Sequence, residues 1–365
     1  MAAENLGTIL SALSQVFAPE LHRQWNRTTY LLGMINASKG VSDGSGKNVA
    51  FDVEFSGATA GTVAEGSDVQ ASEYNSDVNV PMFMPWATYR SSFQVSEQEV
   101  DAARTSIGTA DALIDLFGDR ILGCGAQIAR AIETDALTGT GVDSSGNPTL
   151  VGIFGGALSA SGAYGGLSPS TYPEWASNVL SNGGTARALT PDLMSQADQL
   201  IFTAASVPWN AIVTTAGVTR KYEGMFMSGN GVNNFPLVRM NDRANYTMGV
   251  PNDAQMQLDA ISFKGRPVSR NPVAPSGQLA LLNTDFIKIK YLPHVPTRNE
   301  IEFFQNLGLD GSSGGNQPIQ ATGIPARLIE VAKTGDSHKI SMRVTLAMAV
   351  TRRNAMAVVK DIQET

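Results

Sequence analysis

The feature that most restricts this chain is a run of apolar residues spaced three and four apart across residues 96–138. Ser96 followed by Glu99 reads as a capping box, in which the hydroxyl accepts from one orphan N–H and the carboxylate reaches back to another. From there Val100, Ala103, Ile107, Ala110, Ile114, Phe117, Ile121, Cys124, Ile128 and Ala131 keep to one helical face. A helix over this whole stretch would be ~60 Å long. Gly108, Gly118, Gly123 and Gly125 each cost up to ~1 kcal/mol inside it, so bends or a break are expected. An alanine-rich seam without regular charged flanks argues against a parallel coiled coil. The pattern predicts a long helix lying across a sheet.

The sequence ahead of the helix is extended. VAFDVEF sets Val49, Phe51, Val53 and Phe55 against Ala50, Asp52 and Glu54, the alternation of a half-buried strand. The small-residue stretch GATAGTVAEGSD separates it from a return segment, VNVPMFMPWATYRSSFQV. Together they form a long hairpin that buries little of itself, and is therefore either mobile or laid on another subunit. Residues 1–48 read as an arm: Leu6, Ile9, Leu10, Leu13 and Phe17 have helical spacing, and a polar, mixed stretch leads to the loop SDGSGKN at 42–48. So short a stripe needs a partner elsewhere, on this chain or a neighbour.

Beyond the helix, residues 139 to about 290 read as mixed α/β with frequent turns. Thr190 and Pro191 begin a helix as N-cap and first helical residue, with Leu193, Ala197, Leu200, Ile201 and Ala204 on one face. AIVTT at 211–215 is a short buried strand, and GRPVSRNPVAPSGQLALLN and FIKIKYL are strands broken by Pro/Gly turns. ARLIEVA and HKISMRVTLAMAV make an antiparallel pair across KTGDSHK.

Composition excludes several functions. Twenty-six Lys+Arg against 33 Asp+Glu leave a net charge of −7, without the basic footprint of a dedicated nucleic-acid binder. A single cysteine, Cys124, permits no intrachain disulfide or Cys-cluster metal site, and reads as a small core residue. His22, His294 and His338 are scattered, so neither a zinc site nor a His-based triad is expected. No apolar run approaches the ~20 residues of a membrane span. The first arginine is Arg23, so a secretory leader is not expected either. The phosphate-loop-like SGKN has Val41 and Asn48 where the motif needs Gly and Ser/Thr. GTG at 139–141 and GNG at 229–231 lack the third glycine of a dinucleotide fingerprint. Glu97, Glu99 and Asp101 are accounted for by a helix N-terminus. No catalytic, cofactor-binding or metal residues are assigned.

Several stretches, taken in order, resemble the major capsid proteins of tailed bacteriophages, the HK97-like fold. They are TYRSSFQVSEQEVDAA, IETDALTGTG with NPTLVGIF, YGGLSPSTYPEW with LTPDLMSQADQLIFTA and AIVTTAGVTRKYEGM, then FKGRPVSRNPVAPSGQLALLN and finally ISMRVTLAMAVTRRNAMAVV. The resemblance implies an α+β architecture: an N-terminal arm at 1–48 and an extended β-hairpin loop at 49–92. A peripheral domain would follow at 93–140 and 291–365, with its spine helix at 96–138, and an axial domain at 141–290. It implies self-assembly into pentamers and hexamers that enclose double-stranded DNA without sequence-specific binding. The chain would sit in the virion capsid, assembled in the bacterial host cytoplasm without a membrane. A separate scaffolding protein, a portal protein and a cement or decoration protein are the other partners implied. Members that weld subunits covalently join an extended-loop lysine to an asparagine. Here no lysine stands between Asn48 and Tyr89 and the acceptor region has Asp336, so non-covalent contacts are expected.

Candidate inter-subunit residues are Glu54, Glu65 and Asp68 on the hairpin, Trp86, and the basic pair Arg352 and Arg353 of a neighbour. Such exposed pairs are worth only ~0–1 kcal/mol each. Trp86, Trp175 and Trp209 also read as buried anchors. Two other functions compete: an encapsulin-like nanocompartment shell, with a cargo groove near Leu6–Phe17, and a soluble α/β hydrolase. Scattered histidines and a lone cysteine weigh against the hydrolase.

Overall fold

Two helices and a sheet form the first layer pair: α1 (Tyr30–Ala37) and α2 (Ala110–Thr138) lie against one face of a six-stranded sheet. The computed structural model describes residues 30–55, 79–96, 98, 110–227, 261–293, 316–318, 325–331 and 337–364. The stripe at Leu6–Phe17, and Glu99 of the expected capping box, lie outside the described residues. So do Val100, Ala103, Ile107, Glu65 and Asp68.

Within the described residues α2 is one uninterrupted helix that continues through Gly118, Gly123 and Gly125 without a break. Ile121, Cys124, Ile128, Ile132 and Ala136 are buried along it and fasten it to the sheet. That packing outweighs the intrinsic cost of the glycines, because helix stability in proteins comes mostly from tertiary burial. The buried stripe passes through Ile132 rather than Ala131, which is exposed.

The first sheet has the order β1 (Val41–Asp43), β12 (Ile287–Tyr291), β15 (Ser337–Val350), β14 (Pro325–Val331), β13 (Asn316–Pro318), with β4 (Ala87–Ser96) also paired to β15. The 14-residue β15 is its axis: β4 runs antiparallel along one edge, while β14 and β12 share the other in succession. Ile340, Met342, Val344 and Leu346 alternate inward to the core. The expected antiparallel pair of β14 and β15 is present.

A second six-stranded sheet runs β7 (Asn178–Leu180), β16 (Ala357–Val359), β11 (Leu279–Leu282), β8 (Ala211–Thr214), β10 (Arg266–Arg270), β9 (Ile261–Phe263). AIVT and LALL are buried at every position, as continuous apolar runs are when both faces of a strand are covered. Helices α3 (Pro191–Ala205) and α4 (Ala216–Met227) flank this sheet. Thr190 caps α3 as expected, its hydroxyl accepting from Leu193 N–H at 3.1 Å. The buried face of α3 takes Met194 and Ala205, while Ala204 is exposed.

The strands divide differently from the boundaries that the resemblance implies. Residues 357–359, grouped there with the peripheral domain, fill the second sheet between β7 and β11. Residues 41–43, grouped with the arm, pair with β12 in the first sheet. Each apolar strand goes where an open edge exists, which chain order does not reveal. The remaining strands are two hairpins, β2 (Val49–Glu54) with β3 (Asn79–Met84), and β5 (Thr140–Val142) with β6 (Pro148–Val151). Where the chain recrosses the end of α2, Gly152 is required: a Cβ there would stand 2.6 Å from the Leu137 carbonyl oxygen.

Candidate functional site

The β2–β3 hairpin joins no other strand among the described residues, yet its root is fastened firmly. Val49, Val53, Met82 and Met84 are buried in the main core, following the expected alternation. Phe83 N–H donates to the Gly165 carbonyl at 3.0 Å, and Phe55 stacks on Tyr172 with ring centroids 4.4 Å apart. The opposite face carries Ala50, Asp52, Glu54, Asn79, Pro81 and Phe83 to solvent. Phe83 is 52% exposed, a large apolar side chain half open to solvent. From Val49 to Thr88 the sequence has six carboxylates and no lysine, arginine or histidine. The described strands of the hairpin are therefore fastened to the core by one face and uncovered on the other, within a stretch of acidic sequence.

Trp86 stands where the hairpin re-enters the body. It is half-buried rather than a core anchor, and its indole Nε1–H donates to the Gly46 carbonyl at 2.9 Å. With Tyr89, Arg90, Asp135, Thr140 and Val142 it lines a groove of about 610 Å³ between β4, the end of α2 and the β5–β6 hairpin. Tyr89 spans the groove floor: its hydroxyl donates to Asp135 Oδ2 at 2.6 Å and accepts from Leu150 N–H at 3.4 Å. Burial first, and then the Asp135 carboxylate, push this phenol far above its ordinary range. Tyr89→Phe is expected to cost about 1 kcal/mol, read as a lowered urea midpoint of the unassembled chain.

The two adjacent arginines have different duties. Arg353 is 1% exposed, and its guanidinium donates to the carbonyls of Ala157 (2.7 Å), Ser159 (2.7 Å) and Gly162 (3.3 Å). It also lies 5.4 Å from the Trp175 ring centroid and 5.5 Å from that of Tyr164. Arg353 is thus consumed inside its own chain, and the expectation that it meets a neighbour is corrected by its burial. Arg352 is partly exposed; it donates to the Ala205 carbonyl at 2.8 Å and lies over Phe286. Glu54 is exposed. Trp175 and Trp209 are buried, as anchors should be, and Cys124 is buried on the helix face.

Sequence reasoning missed Glu133. This carboxylate is fully buried and accepts from Leu31 N–H (2.8 Å), Leu32 N–H (3.0 Å) and the Asn271 amide (2.7 Å). It supplies partners for orphan donors in the first turn of α1, and it ties that helix to α2 and to the end of β10. The one available signal was an acid set among Ala129, Ile132 and Ala136 on the apolar stripe.

Among the described residues no group of three or more His, Cys, Asp or Glu is placed to hold a metal ion, and no helix is long and apolar enough to cross a membrane. The G-x-S-x-G spacing of hydrolases does occur at Gly40–Gly44 and again at 311–315. Ser42, however, lies within β1 after a helix, not on a strand-to-helix elbow.

A family model described as SU10 major capsid protein matches residues 17–363. No curated protein matches the chain. Among solved structures, the cyanophage A-1(L) capsid asymmetric unit superposes with a TM-score of 0.72 at 18% identity, covering 96% of this chain and 98% of that one. The capsid of an empty GTA particle gives 0.58 at 13% identity over 100% and 98% of the two chains. The holo-SrpI encapsulin complex from Synechococcus elongatus PCC 7942 gives 0.55 at 10% identity over 98% and 96%. At these identities the structural likenesses establish the fold, and that fold is HK97-like.

Proposed function

We infer the function from one premise: this chain belongs to the SU10 major capsid protein family, whose model spans residues 17–363. It is a phage major capsid protein. We propose that it closes an icosahedral shell from pentamers and hexamers of itself, within which double-stranded DNA is enclosed without sequence-specific contacts. The role is structural, not catalytic. The observation that carries the reading is the β2–β3 hairpin, bolted at its root and uncovered on its acidic outer face. A lone subunit gains nothing from such an uncovered face, whereas a shell of identical subunits can close on it symmetrically.

The same reading places the chain in the virion after assembly in the host cytoplasm, with a separate scaffolding protein, a portal protein and a cement or decoration protein as further partners. The hairpin's lack of lysine supports non-covalent joining. Glu54, Trp86 and Arg352 remain the proposed contact residues of the described chain. Negative-stain microscopy of the purified chain, with and without a co-expressed scaffold, tests the proposal. Closed shells or rings of five and six are expected. A homogeneous compact monomer under every salt and scaffold condition would overturn it. Shells filled with a protein cargo instead of nucleic acid would move the chain to the nanocompartment reading.

A further inference from the structure

Two short crossings carry the chain directly from one six-stranded sheet to the other: residues 283–286, from β11 to β12, and residues 351–356, from β15 to β16. Thr351 ties them together, its N–H and hydroxyl both donating to the Phe286 carbonyl, at 2.9 and 3.1 Å. Away from the crossings the sheets meet through apolar contact, for Ala211, Val213, Ala280 and Leu282 of the second sheet share the main core with α1, α2 and the first sheet. Apolar burial is non-directional, so it holds the sheets together without fixing the angle between them. Hydrogen bonds are directional, and two joints supply them, one at each end of α1. At its N-terminal end Glu133 of α2 accepts from Leu31 N–H, from Leu32 N–H and from the side-chain amide of Asn271, the fully buried residue that follows β10. At its other end the donors run one way. Asn210, ahead of β8, donates its side-chain amide to Thr284 Oγ1 at 2.9 Å, Thr284 Oγ1 lies 2.6 Å from Ser38 Oγ, and Ser38 donates to the Met34 carbonyl at 2.8 Å. The Ser38 proton is spent on Met34, so the Thr284 hydroxyl donates to Ser38. The Asn210 carboxamide oxygen accepts in turn from Thr284 N–H at 3.0 Å. Past Ser38 the chain enters the first sheet: the Gly40 carbonyl accepts from Ile289 N–H at 2.8 Å, and β1 pairs with β12.

We propose that α1 is a brace across the junction of the two sheets: its two polar joints set the angle between the sheets about the crossings and, in a shell, the curvature that follows from that angle. The proposal rests on the shell reading above. Identical subunits repeat any angular error at every contact, so a shell of one diameter needs one angle held firmly. A polar network whose members are all satisfied specifies a single arrangement, and it loses that specification when one member is removed.

The test is Ser38→Ala/Thr284→Val in the full chain, which removes the second joint and leaves Glu133 and the apolar core in place. Spin labels on Arg343→Cys in β15 and Phe202→Cys in α3, both exposed positions, read the distance across the junction before assembly; Cys124 is buried. Shell diameters are then read by microscopy, with the scaffold if assembly needs it. The wild type is expected to give one narrow distance peak and shells of one diameter. The variant is expected to keep the wild-type circular dichroism and to raise the population outside that peak about tenfold, the worth of one or two lost hydrogen bonds. Its assemblies should be shells of several diameters or open sheets. Thr284→Ser keeps the hydroxyl and should behave as the wild type does. Should the pair fail to fold, Ser38→Ala alone, one oxygen at a partly exposed position, is read in the same way. An unchanged distance peak, or a broadened peak with shells of wild-type diameter, would overturn the brace. Failure of the wild type to assemble would remove the shell reading and the curvature with it, and the distance peak alone would then uphold or overturn the brace.

Discussion

Arg353→Ala is expected to lower the unfolding free energy of the unassembled chain by about 3–5 kcal/mol, because three buried carbonyls lose their donor at about 1–3 kcal/mol each. The side chain closes the segment around Ala157–Gly162 onto the Tyr164 and Trp175 rings, and its partners lie 191 to 196 residues away in sequence. Burial pulls the guanidinium down to about 10, which leaves it cationic at neutral pH. Its charge is thus spread over carbonyl dipoles and aromatic faces, without a carboxylate partner among the described residues. Arg353→Lys should recover part of the loss, since an ammonium donates but lacks the planar fork that reaches separated acceptors. The neighbouring Arg352→Ala should cost no more than about 1.5 kcal/mol, one hydrogen bond and an exposed cation–π contact. Urea unfolding of the three variants checks this; near-equal midpoints for Arg352→Ala and Arg353→Ala would refute the assignment.

Glu133 carries the second large effect. Burial is the dominant influence and raises its carboxyl to about 7, against the opposing pull of the Leu31, Leu32 and Asn271 donors. In the unfolded chain the group titrates near 4.5. Between these values the folded state holds a proton that the unfolded state has released, so stability falls as pH rises. The contribution is fullest below about 4.5, declines by about 3 kcal/mol up to pH 7, and is level above that. Glu133→Gln cannot titrate. The wild type's stability relative to this variant should therefore shrink across that window, measured as paired urea unfolding free energies at pH 4.5, 5.5, 6.5 and 7.5. A difference that stays constant, or grows with pH, would sink the argument. Glu133→Ala should be destabilised at every pH, because two helix N–H groups and a buried amide lose their acceptor together.

Much of the fold was legible locally. The strand alternation of VAFDVEF, the Thr190–Pro191 helix start and the β14–β15 pair all appear as read, since each rests on a pattern within a few residues. The long helix was legible in type but not in continuity, because the cost of its glycines is local and the packing that overrides it is not. Helix α1 was missed: Leu31 to Ile35 are buried consecutively, so YLLGMINA shows no stripe to detect. The acidic character of the hairpin is a matter of composition. Cross-strand placement is a matter of register: Arg90, Arg327 and Arg343 are dispersed in sequence and fall opposite one another only when three strands align.

What the sequence determined by itself was the set of parts: a hairpin without cations, a long amphipathic helix, apolar strands, and only three histidines and one cysteine. Periodicity and composition are properties of neighbouring residues, and they survive without coordinates. Only the tertiary structure decided that residues 357–359 complete the second sheet, that Glu133 holds α1, and that Arg353 faces inward while its neighbour does not. Those outcomes depend on which open strand edges and unpaired polar groups are brought together from more than a hundred residues apart. A buried donor takes the acceptors that folding places beside it, and no local pattern records where they will be.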